Sequence, residues 1–122
     1  MRSMTMLMAA IAVLPAAARA AGDAEAGKTA FARRCAVCHS VAEGQNKVGP
    51  SLHGVVGRPS GQIANFNYSP AMKNAGKTWD EATLDAYLTD PKALVPGNRM
   101  ILAGIKDEAE RQNIIAYLAT QK

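Results

Sequence analysis

The two cysteines of this 122-residue chain lie close together, and a histidine follows them directly. Cys35 and Cys38 are the only cysteines, and His39 completes the stretch CAVCH. Two thiols at this spacing beside an imidazole suit a redox dithiol, part of a metal site, a small disulfide loop or a covalent attachment point for haem. Each of these needs a different surrounding fold, so the cysteine pair constrains the chain more than any other feature.

The N-terminal segment has the order of features of a secretory signal peptide. Arg2 is followed by an apolar run that is too short to span a bilayer, and small residues close the segment. We expect cleavage after Ala20 or Ala21, which makes residues 1–21 a signal peptide and residues 22–122 a single domain. A small exported cargo behind such a leader favours a bacterial periplasm as its location.

The charge of the mature chain argues against nucleic acid as a partner. The full sequence carries a net charge of +4, and loss of the leader removes two arginines and no acidic residue, which leaves +2. Nucleic-acid-binding proteins need a denser positive surface than this. A mildly basic surface still allows a local positive patch that steers docking onto an acidic protein.

The first half of the mature sequence predicts two helices separated by a long loop. Apolar residues at helical spacing predict a helix that begins at Asp23 and runs into Cys35. Residues 44–61 contain five glycines and two prolines, so we expect a loop there. A short helix should follow, capped by Ser69 and stopped by Gly76.

The second half predicts two further helices and no strands. Thr78 and Glu81 have the spacing of a capping box, and the helix they begin should end at Asp90, before a proline. Residues 91–106 read as irregular, and a last helix should begin near Asp107. Helices joined by long loops, with no sheet, predict an all-α domain whose loops pack against something.

Haem attachment suits the cysteine pair best. A redox dithiol needs its first cysteine at a helix N-terminus after a strand, whereas this pair follows a helix. Structural zinc needs four ligands, and only His39 and His53 are available beside the two thiols. A disulfide would close too small a loop to stabilise much. Haem fits every feature, with Cys35 and Cys38 as thioether links and His39 as the proximal iron ligand.

The second axial ligand decides what such a haem can do. An open position binds small molecules or peroxide, whereas a thioether closes it and leaves electron transfer. The candidates are Met72, Met100 and His53. Met72 lies in the predicted short helix, where packing is the ordinary role of a methionine. Met100 lies in the irregular stretch VPGNRMIL, 61 residues beyond His39, so the chain can wrap around the ring. We therefore favour Met100.

Four stretches carry a resemblance to a known family. They are GDAEAGKTAFARRCAVCHS, VGPSLHGVVGR, GKTWDEATLDAYLTDPKALVPGNRMILAGIK and IIAYL. Over nearly all of residues 22–122 the sequence resembles class I c-type cytochromes, the group of mitochondrial cytochrome c and the soluble cytochromes of photosynthetic bacteria. The resemblance implies a small cytochrome c fold, in which helices joined by long loops surround one covalently attached haem c.

The resemblance also implies roles for individual residues. The carbonyl of Pro50 should accept a hydrogen bond from the proximal histidine, and Tyr87 should lie beside the methionine sulfur. Gly27 and Phe31 should lie where the first helix crosses the last. Three residues should hold the haem propionates, namely Arg58, Tyr68 and Trp79. A reduced ring of positive charge at the haem edge should comprise Arg34, Lys47, Lys92, Arg99 and Lys106.

The function that follows is that of a soluble, monomeric one-electron carrier rather than an enzyme. The expected donor is a quinol-oxidising membrane complex, and the acceptor is a terminal oxidase or a photosynthetic reaction centre, with peripheral contact to the membrane. One rival is a haem enzyme or ligand sensor in which Met100 is not bound to iron. Another is an interaction module without metal.

Overall fold

The computed structural model describes residue 10 and residues 22–122, and this part of the chain is helical. The helices are α1 (Ala24–Arg34), α2 (Pro70–Lys73), α3 (Glu81–Thr89), α4 (Pro91–Leu94) and α5 (Glu108–Ala119). Over the described residues, the β structure is one isolated antiparallel bridge between Pro59 and Thr78, and none of the helices is long and apolar enough to cross a membrane. The predicted all-α architecture is confirmed, while the predicted signal peptide, apart from residue 10, lies outside the described residues.

Helices α1 and α5 cross at Gly27, where they approach most closely. A Cβ atom on Gly27 would overlap the backbone carbonyl of Asn113 in α5. The rings of Phe31 and Tyr117 pack one turn further along, with centroids 5.4 Å apart, and Ile114 is buried beside them. The crossing expected from Gly27 and Phe31 is therefore present, and it brings the two ends of the domain together.

An ion-pair cluster fixes the C-terminal end of α1 against α5. The carboxylate of Glu110 accepts hydrogen bonds from Arg34 Nη2 at 3.0 Å and from Arg33 Nη2 at 2.9 Å. The hydrogen bond from Arg34, helped by Arg33, lowers the pKa of Glu110 and keeps the carboxylate ionised. Exposed pairs of this kind contribute about 0–1 kcal/mol, so they orient the helix end more than they stabilise it.

Arg111 joins α5 to α3 and to the segment between α4 and α5. Its buried guanidinium donates through Nε to Asp85 at 2.8 Å and through Nη1 to the carbonyl of Ile105 at 2.9 Å. The N–H of Ile105 in turn donates to the carbonyl of Leu88 at 2.7 Å. These bonds hold the end of the irregular segment against α3, so the path of the chain through that segment is defined at its far end.

The capping-box prediction for α3 was wrong. The N-cap is Asp80, whose carboxylate accepts from the N–H of Thr83 at 2.7 Å. Thr78 lies two residues earlier, in the bridge to Pro59, and the N–H of Trp79 donates to the carbonyl of Arg58 at 2.9 Å. These long-range bonds hold residues 78 and 79 in an extended conformation. The helix therefore starts later than local spacing suggests.

Two other boundaries differ from the expectation. Helix α2 starts at Ser69 as predicted, since its hydroxyl accepts from the N–H of Met72, but it ends at the cap residue Asn74. Gly76, expected to stop it, lies two residues after that cap with φ of +61°. Helix α4 falls in the stretch that was expected to be irregular. Asp90 ends α3 and also caps α4, because its carboxylate accepts from the N–H of Ala93 at 3.2 Å.

We expect Gly27→Ala to destabilise the domain, because the added methyl group meets backbone in α5 that cannot move alone. Overpacking of this kind costs about 1–3 kcal/mol, which outweighs the gain of about 1 kcal/mol in helix propensity. Denaturant titration of the holoprotein should show a lower free energy of unfolding, whereas Lys28→Ala, at an exposed neighbouring position, should change it by less than about 0.5 kcal/mol. A Gly27→Ala protein more stable than the unmodified one would contradict the close crossing.

Candidate haem site

The two cysteines lie in a turn that directly follows α1. The N–H groups of Cys38 and His39 both donate to the carbonyl of Cys35, at 3.1 and 2.9 Å, and both thiols are free and half-buried. Burial raises the pKa of the Cys35 thiol to about 11, although Arg34 acts in the opposite direction. A redox dithiol depends on a thiol pKa lowered toward neutrality. This environment therefore disfavours redox chemistry at the pair.

The imidazole of His39 is held by the loop that contains Gly49 and Pro50. Its Nδ1 lies 2.8 Å from the carbonyl oxygen of Pro50, and a Cβ atom on Gly49 would overlap the ring. Because a carbonyl oxygen only accepts, Nδ1 carries the proton and Nε2 keeps its lone pair. Burial lowers the pKa of His39, with the Pro50 bond acting in the opposite direction, so the neutral ring predominates at neutral pH. The site thus presents Nε2 as a metal ligand.

The sulfur of Met100 lies beside a buried phenol. The hydroxyl of Tyr87 donates to Met100 Sδ at 3.9 Å, and the ring of Tyr87 packs on that of Trp79 with centroids 4.9 Å apart. Burial raises the pKa of Tyr87 to about 12, so the hydroxyl keeps its proton at neutral pH. Met72, the other candidate, is partly buried against the hydrophobic core. The contact expected between Tyr87 and the methionine is therefore present for Met100.

A tight turn directs the chain toward Met100. The N–H of Asn98 donates to the carbonyl of Val95 at 3.1 Å, and Gly97 between them has φ of +87°. Pro96 and Gly97 are the residues that a type II turn prefers at its two central positions, because the second requires a positive φ. The irregular backbone that the sequence predicted before Met100 is thus a defined reversal of the chain.

Arg58 and Trp79 lie on neighbouring backbone segments. Besides the bond from Trp79 N–H to the Arg58 carbonyl, the N–H of Gly57 donates to the Trp79 carbonyl at 2.8 Å. The Arg58 guanidinium donates through Nη1 to two backbone carbonyls, at 2.9 and 3.0 Å. Burial lowers the pKa of Arg58, and Tyr68 partly offsets this. The hydroxyl of Tyr68 accepts from the N–H of Ile63 at 3.2 Å. The structure thus pairs the backbone of Arg58 with that of Trp79.

The donor set fits haem iron and not structural zinc. Nitrogen from a neutral imidazole and sulfur from a thioether are axial ligands of haem, whereas zinc sites take thiolates, imidazoles and carboxylates. Across residue 10 and residues 22–122 there is no group of three or more histidine, cysteine and acidic side chains that could hold a metal ion. His53 Nδ1 lies 3.2 Å from the carbonyl of Val41, an ordinary backbone contact.

Comparison with known proteins agrees with this reading. The family profile described as Cytochrome c matches residues 24–122. The chain belongs to the cytochrome c family. It is similar to cytochrome c2 of Rhodoplanes tepidamans, with 56% identity over 98 residues that cover 80% of this chain and 91% of the relative. It is also 48% identical to cytochrome c2 of Rhodomicrobium vannielii, over 94% of this chain and 92% of the relative.

Two further relatives extend the comparison. This cytochrome is 50% identical to cytochrome c-550 of Nitrobacter winogradskyi, over 80% of this chain and 90% of the relative. Among solved structures it resembles cytochrome cH from Methylobacterium extorquens, with a TM-score of 0.76 and 47% identity, over 81% of this chain and 99% of the other. The cytochrome c fold predicted from sequence is confirmed.

Membership of the family settles the use of the cysteines. This cytochrome binds haem c covalently and transfers electrons with it. The haem interpretation of the CAVCH stretch is thereby confirmed over the redox, zinc and disulfide interpretations. The roles of individual residues around the haem stay predictions, although the structure brings His39 to Pro50 and Met100 to Tyr87.

Sequence reasoning missed residues that shape the loop opposite His39. Gly49 was not singled out, although a glycine beside a proline in a loop signals a close approach of backbone to another group. Ser51 is fully buried, and its N–H donates to Asn46 Oδ1 at 2.9 Å. The amide of Asn46 also donates to the carbonyl of Ala64 at 3.2 Å. This cross-link joins two parts of the long loop, and no local sequence signal pairs them.

Proposed function

We propose that this cytochrome is a soluble one-electron carrier in which His39 and Met100 are the two axial ligands of the haem iron. The observation that supports this most strongly is the bond between His39 Nδ1 and the Pro50 carbonyl, on the residue directly after Cys38. Haem c, when bound, supplies an iron that accepts or gives up one electron. The protein is not an enzyme in this proposal, because Met100 occupies the position that a substrate would need.

The residues around each ligand adjust its donor strength. The carbonyl of Pro50 accepts a hydrogen bond from His39 Nδ1, which orients the ring and makes Nε2 a better donor to iron. Tyr87 donates to Met100 Sδ and so withdraws electron density from the sulfur. A neutral thioether already favours ferrous iron over harder ligands. Both effects at Met100 favour ferrous iron and therefore raise the reduction potential of the haem.

In this proposal three polar or charged side chains hold the haem propionates and offset their negative charge. Arg58 supplies a partly buried guanidinium, and its backbone is bonded to that of Trp79. Trp79 offers an indole N–H and Tyr68 a phenol hydroxyl. Charged groups lose much of their hydration when they are buried, so ionic and hydrogen-bond partners are needed to hold them. This role for the three residues rests on the resemblance together with the backbone pairing of Arg58 and Trp79.

Three members of the positive ring expected at the haem edge form an ion pair or a hydrogen bond within the protein itself. Arg34 is paired with Glu110. Lys47 Nζ donates to the carbonyl of Ala36, and Lys106 Nζ donates to the carbonyl of Thr89 at 2.9 Å. The carboxylate of Glu110 offsets the charge of Arg34, whereas Lys47 and Lys106 keep their charge and have only the positions of their ammonium groups fixed. The remaining pair, Lys92 and Arg99, is exposed and becomes the main candidate for docking.

Lys92 and Arg99 border an open apolar hollow that also includes Met100 and Ile101. The side chain of Ile101 is 97% exposed. An apolar centre with positive charge at its rim suits a brief, charge-steered contact with an acidic partner. We infer that a quinol-oxidising membrane complex donates the electron and that a terminal oxidase or photosynthetic reaction centre accepts it. The cytochrome acts as a monomer that contacts these complexes peripherally.

We also propose that residues 1–21 form a signal peptide and that the mature protein acts in the periplasm. The order of charge, apolar run and small residues supports this. Intact mass spectrometry of the exported holoprotein should give the mass of residues 21–122 or 22–122 plus one haem. A mass that includes the leader would contradict the proposed processing.

Met100→Ala tests the proposed ligand. We expect the potential of the purified holoprotein to fall by about 0.1 V or more, because the axial ligand is a main determinant of haem potential. The weak long-wavelength sulfur-to-iron band of the ferric protein should disappear, and added imidazole should bind without competition. A potentiometric titration with optical detection measures the first two changes together.

Met72→Ala is the matched control, since it removes the other methionine considered as ligand. It should leave the sulfur-to-iron band in place, because Met72 packs against the core. If Met72→Ala abolishes the band and Met100→Ala keeps it, the ligand has been assigned to the wrong methionine. If the unmodified ferric protein lacks the band at neutral pH, a haem enzyme or sensor becomes the better interpretation.

Charge reversal at Lys92 and Arg99 tests the docking surface. We expect the double glutamate variant to be reduced about tenfold more slowly by a purified quinol-oxidising cytochrome complex at low ionic strength. The difference should shrink above roughly 0.1 M salt, where the Debye length is about 10 Å. Reversal of the exposed Lys28 and Lys122 makes the same change in net charge elsewhere. Equal slowing in both double variants would show that only net charge matters and that docking is not local to this surface.

A further inference from the structure

Asn98 is a buried polar residue two positions before Met100. Its side chain belongs to a residue that is only 5% exposed, and it makes three hydrogen bonds. Nδ2 donates to the carbonyl of Pro91 at 3.0 Å and to that of Val95 at 2.8 Å. Oδ1 accepts from the N–H of Met100 at 2.9 Å. One carboxamide thus joins the start of α4, the turn after it and the backbone of Met100.

A carboxamide suits this position because it carries two N–H donors and an acceptor on one planar group. Both amide donors and the carbonyl oxygen are used within the fold. A buried polar group without a partner costs free energy that a bonded one does not, so loss of this side chain would leave backbone groups of the segment unpaired. The arrangement therefore favours one position of Met100 relative to α4.

The segment around Met100 has few other attachments. Within the part of the chain that the structure describes, the bond from Met100 N–H to Asn98 is the only one made by a backbone N–H between residues 99 and 104. The neighbours Arg99 and Ile101 are both exposed. The next backbone attachment is the bond from Ile105 N–H to Leu88, which lies five residues beyond Met100. Asn98 consequently anchors the near end of this segment.

We propose that Asn98 is the positioning residue for Met100. Its carboxamide holds the Met100 backbone so that Sδ stays beside the Tyr87 hydroxyl and remains available as the axial ligand. The inference rests on the proposed ligation by Met100. It extends that proposal by assigning the residue that limits how often the methionine leaves its position.

The test is a titration of the ferric holoprotein with imidazole, followed by loss of the sulfur-to-iron band. Imidazole competes with Met100, so its apparent affinity is proportional to the fraction of molecules in which the methionine has been released. For Asn98→Ala we expect about tenfold tighter apparent binding, which corresponds to about 1.4 kcal/mol in favour of the released state. The measurement is made at one pH and well below the unfolding temperature.

Two further variants separate positioning from general stability. Ile114→Val removes a methyl group from a fully buried site in α5, so it lowers stability while it leaves the hydrogen bonds of Asn98 in place. The Ile114→Val variant should change the apparent affinity for imidazole by less than twofold. Asn98→Ser keeps a short side-chain oxygen that can accept from the N–H two residues further on, but it lacks the two amide N–H donors that bond Pro91 and Val95. It should bind imidazole with an affinity between those of the alanine variant and the unmodified protein.

The outcomes distinguish this inference from the proposed function. Absence of the sulfur-to-iron band in the unmodified ferric protein would refute ligation by Met100 before any variant is examined. With the band present, the same tightening in Ile114→Val and Asn98→Ala would reduce Asn98 to a general structural role. Unchanged binding in both Asn98 variants would overturn the inference. If the alanine variant does not fold, tightening of about threefold or more in Asn98→Ser supports it, and a smaller change refutes it.

Discussion

The hydrogen bond between His39 and the carbonyl of Pro50 joins the end of α1 to the long loop, and the functional site depends on it. The contact is reinforced on both sides, because the N–H of Gly49 donates to the Cys38 carbonyl at 2.7 Å and the N–H of Leu52 donates to the Ser40 carbonyl at 2.8 Å. The imidazole therefore has one position and one tautomer. A ligand fixed in this way needs little rearrangement when the charge on a bound metal changes.

Burial reinforces the neutral form of three groups in the site. It raises the pKa of the Cys35 thiol and the Tyr87 hydroxyl and lowers that of the His39 imidazole. In every case the neutral form is favoured, because a charged form loses more hydration in an apolar environment. The neutral imidazole and the protonated phenol are the forms that metal ligation and hydrogen bonding to sulfur require. The same burial that stabilises the domain thus prepares these groups for their chemistry.

The two candidate ligands are held by different means. His39 lies on a turn attached to a helix, and the backbone of Gly49 packs directly against its ring. Met100 lies in an irregular segment that is attached mainly through side chains, by Asn98 at one end and by Arg111 near the other. Side-chain attachments are fewer and more easily broken than a helix and its backbone ladder. The methionine side of the site should consequently be the more labile of the two.

Several features could be predicted from the sequence because they depend on residues that are close together in the chain. The CAVCH stretch indicated haem attachment because all three reactive groups lie within five residues. Asp23 and Asp107 were identified at the starts of α1 and α5, where both side chains accept backbone N–H groups of the first turn. Met100 was favoured from its irregular surroundings and its distance along the chain from His39, and its place beside Tyr87 agrees with that choice.

Features that depend on distant residues could not be read in this way. Thr78 had the better local signal for a cap, yet pairing with Pro59 made Asp80 the N-cap. Glu110 pairs with Arg34 and the carbonyl of Thr89 fixes the ammonium group of Lys106, and only folding brings those partners together. By itself the sequence determined the haem attachment, the all-α class and the family, because these depend on neighbouring residues and their spacing. The tertiary structure decided which charges are paired, where α3 begins and what holds Met100, because each of these depends on contacts between residues that meet only in the folded chain.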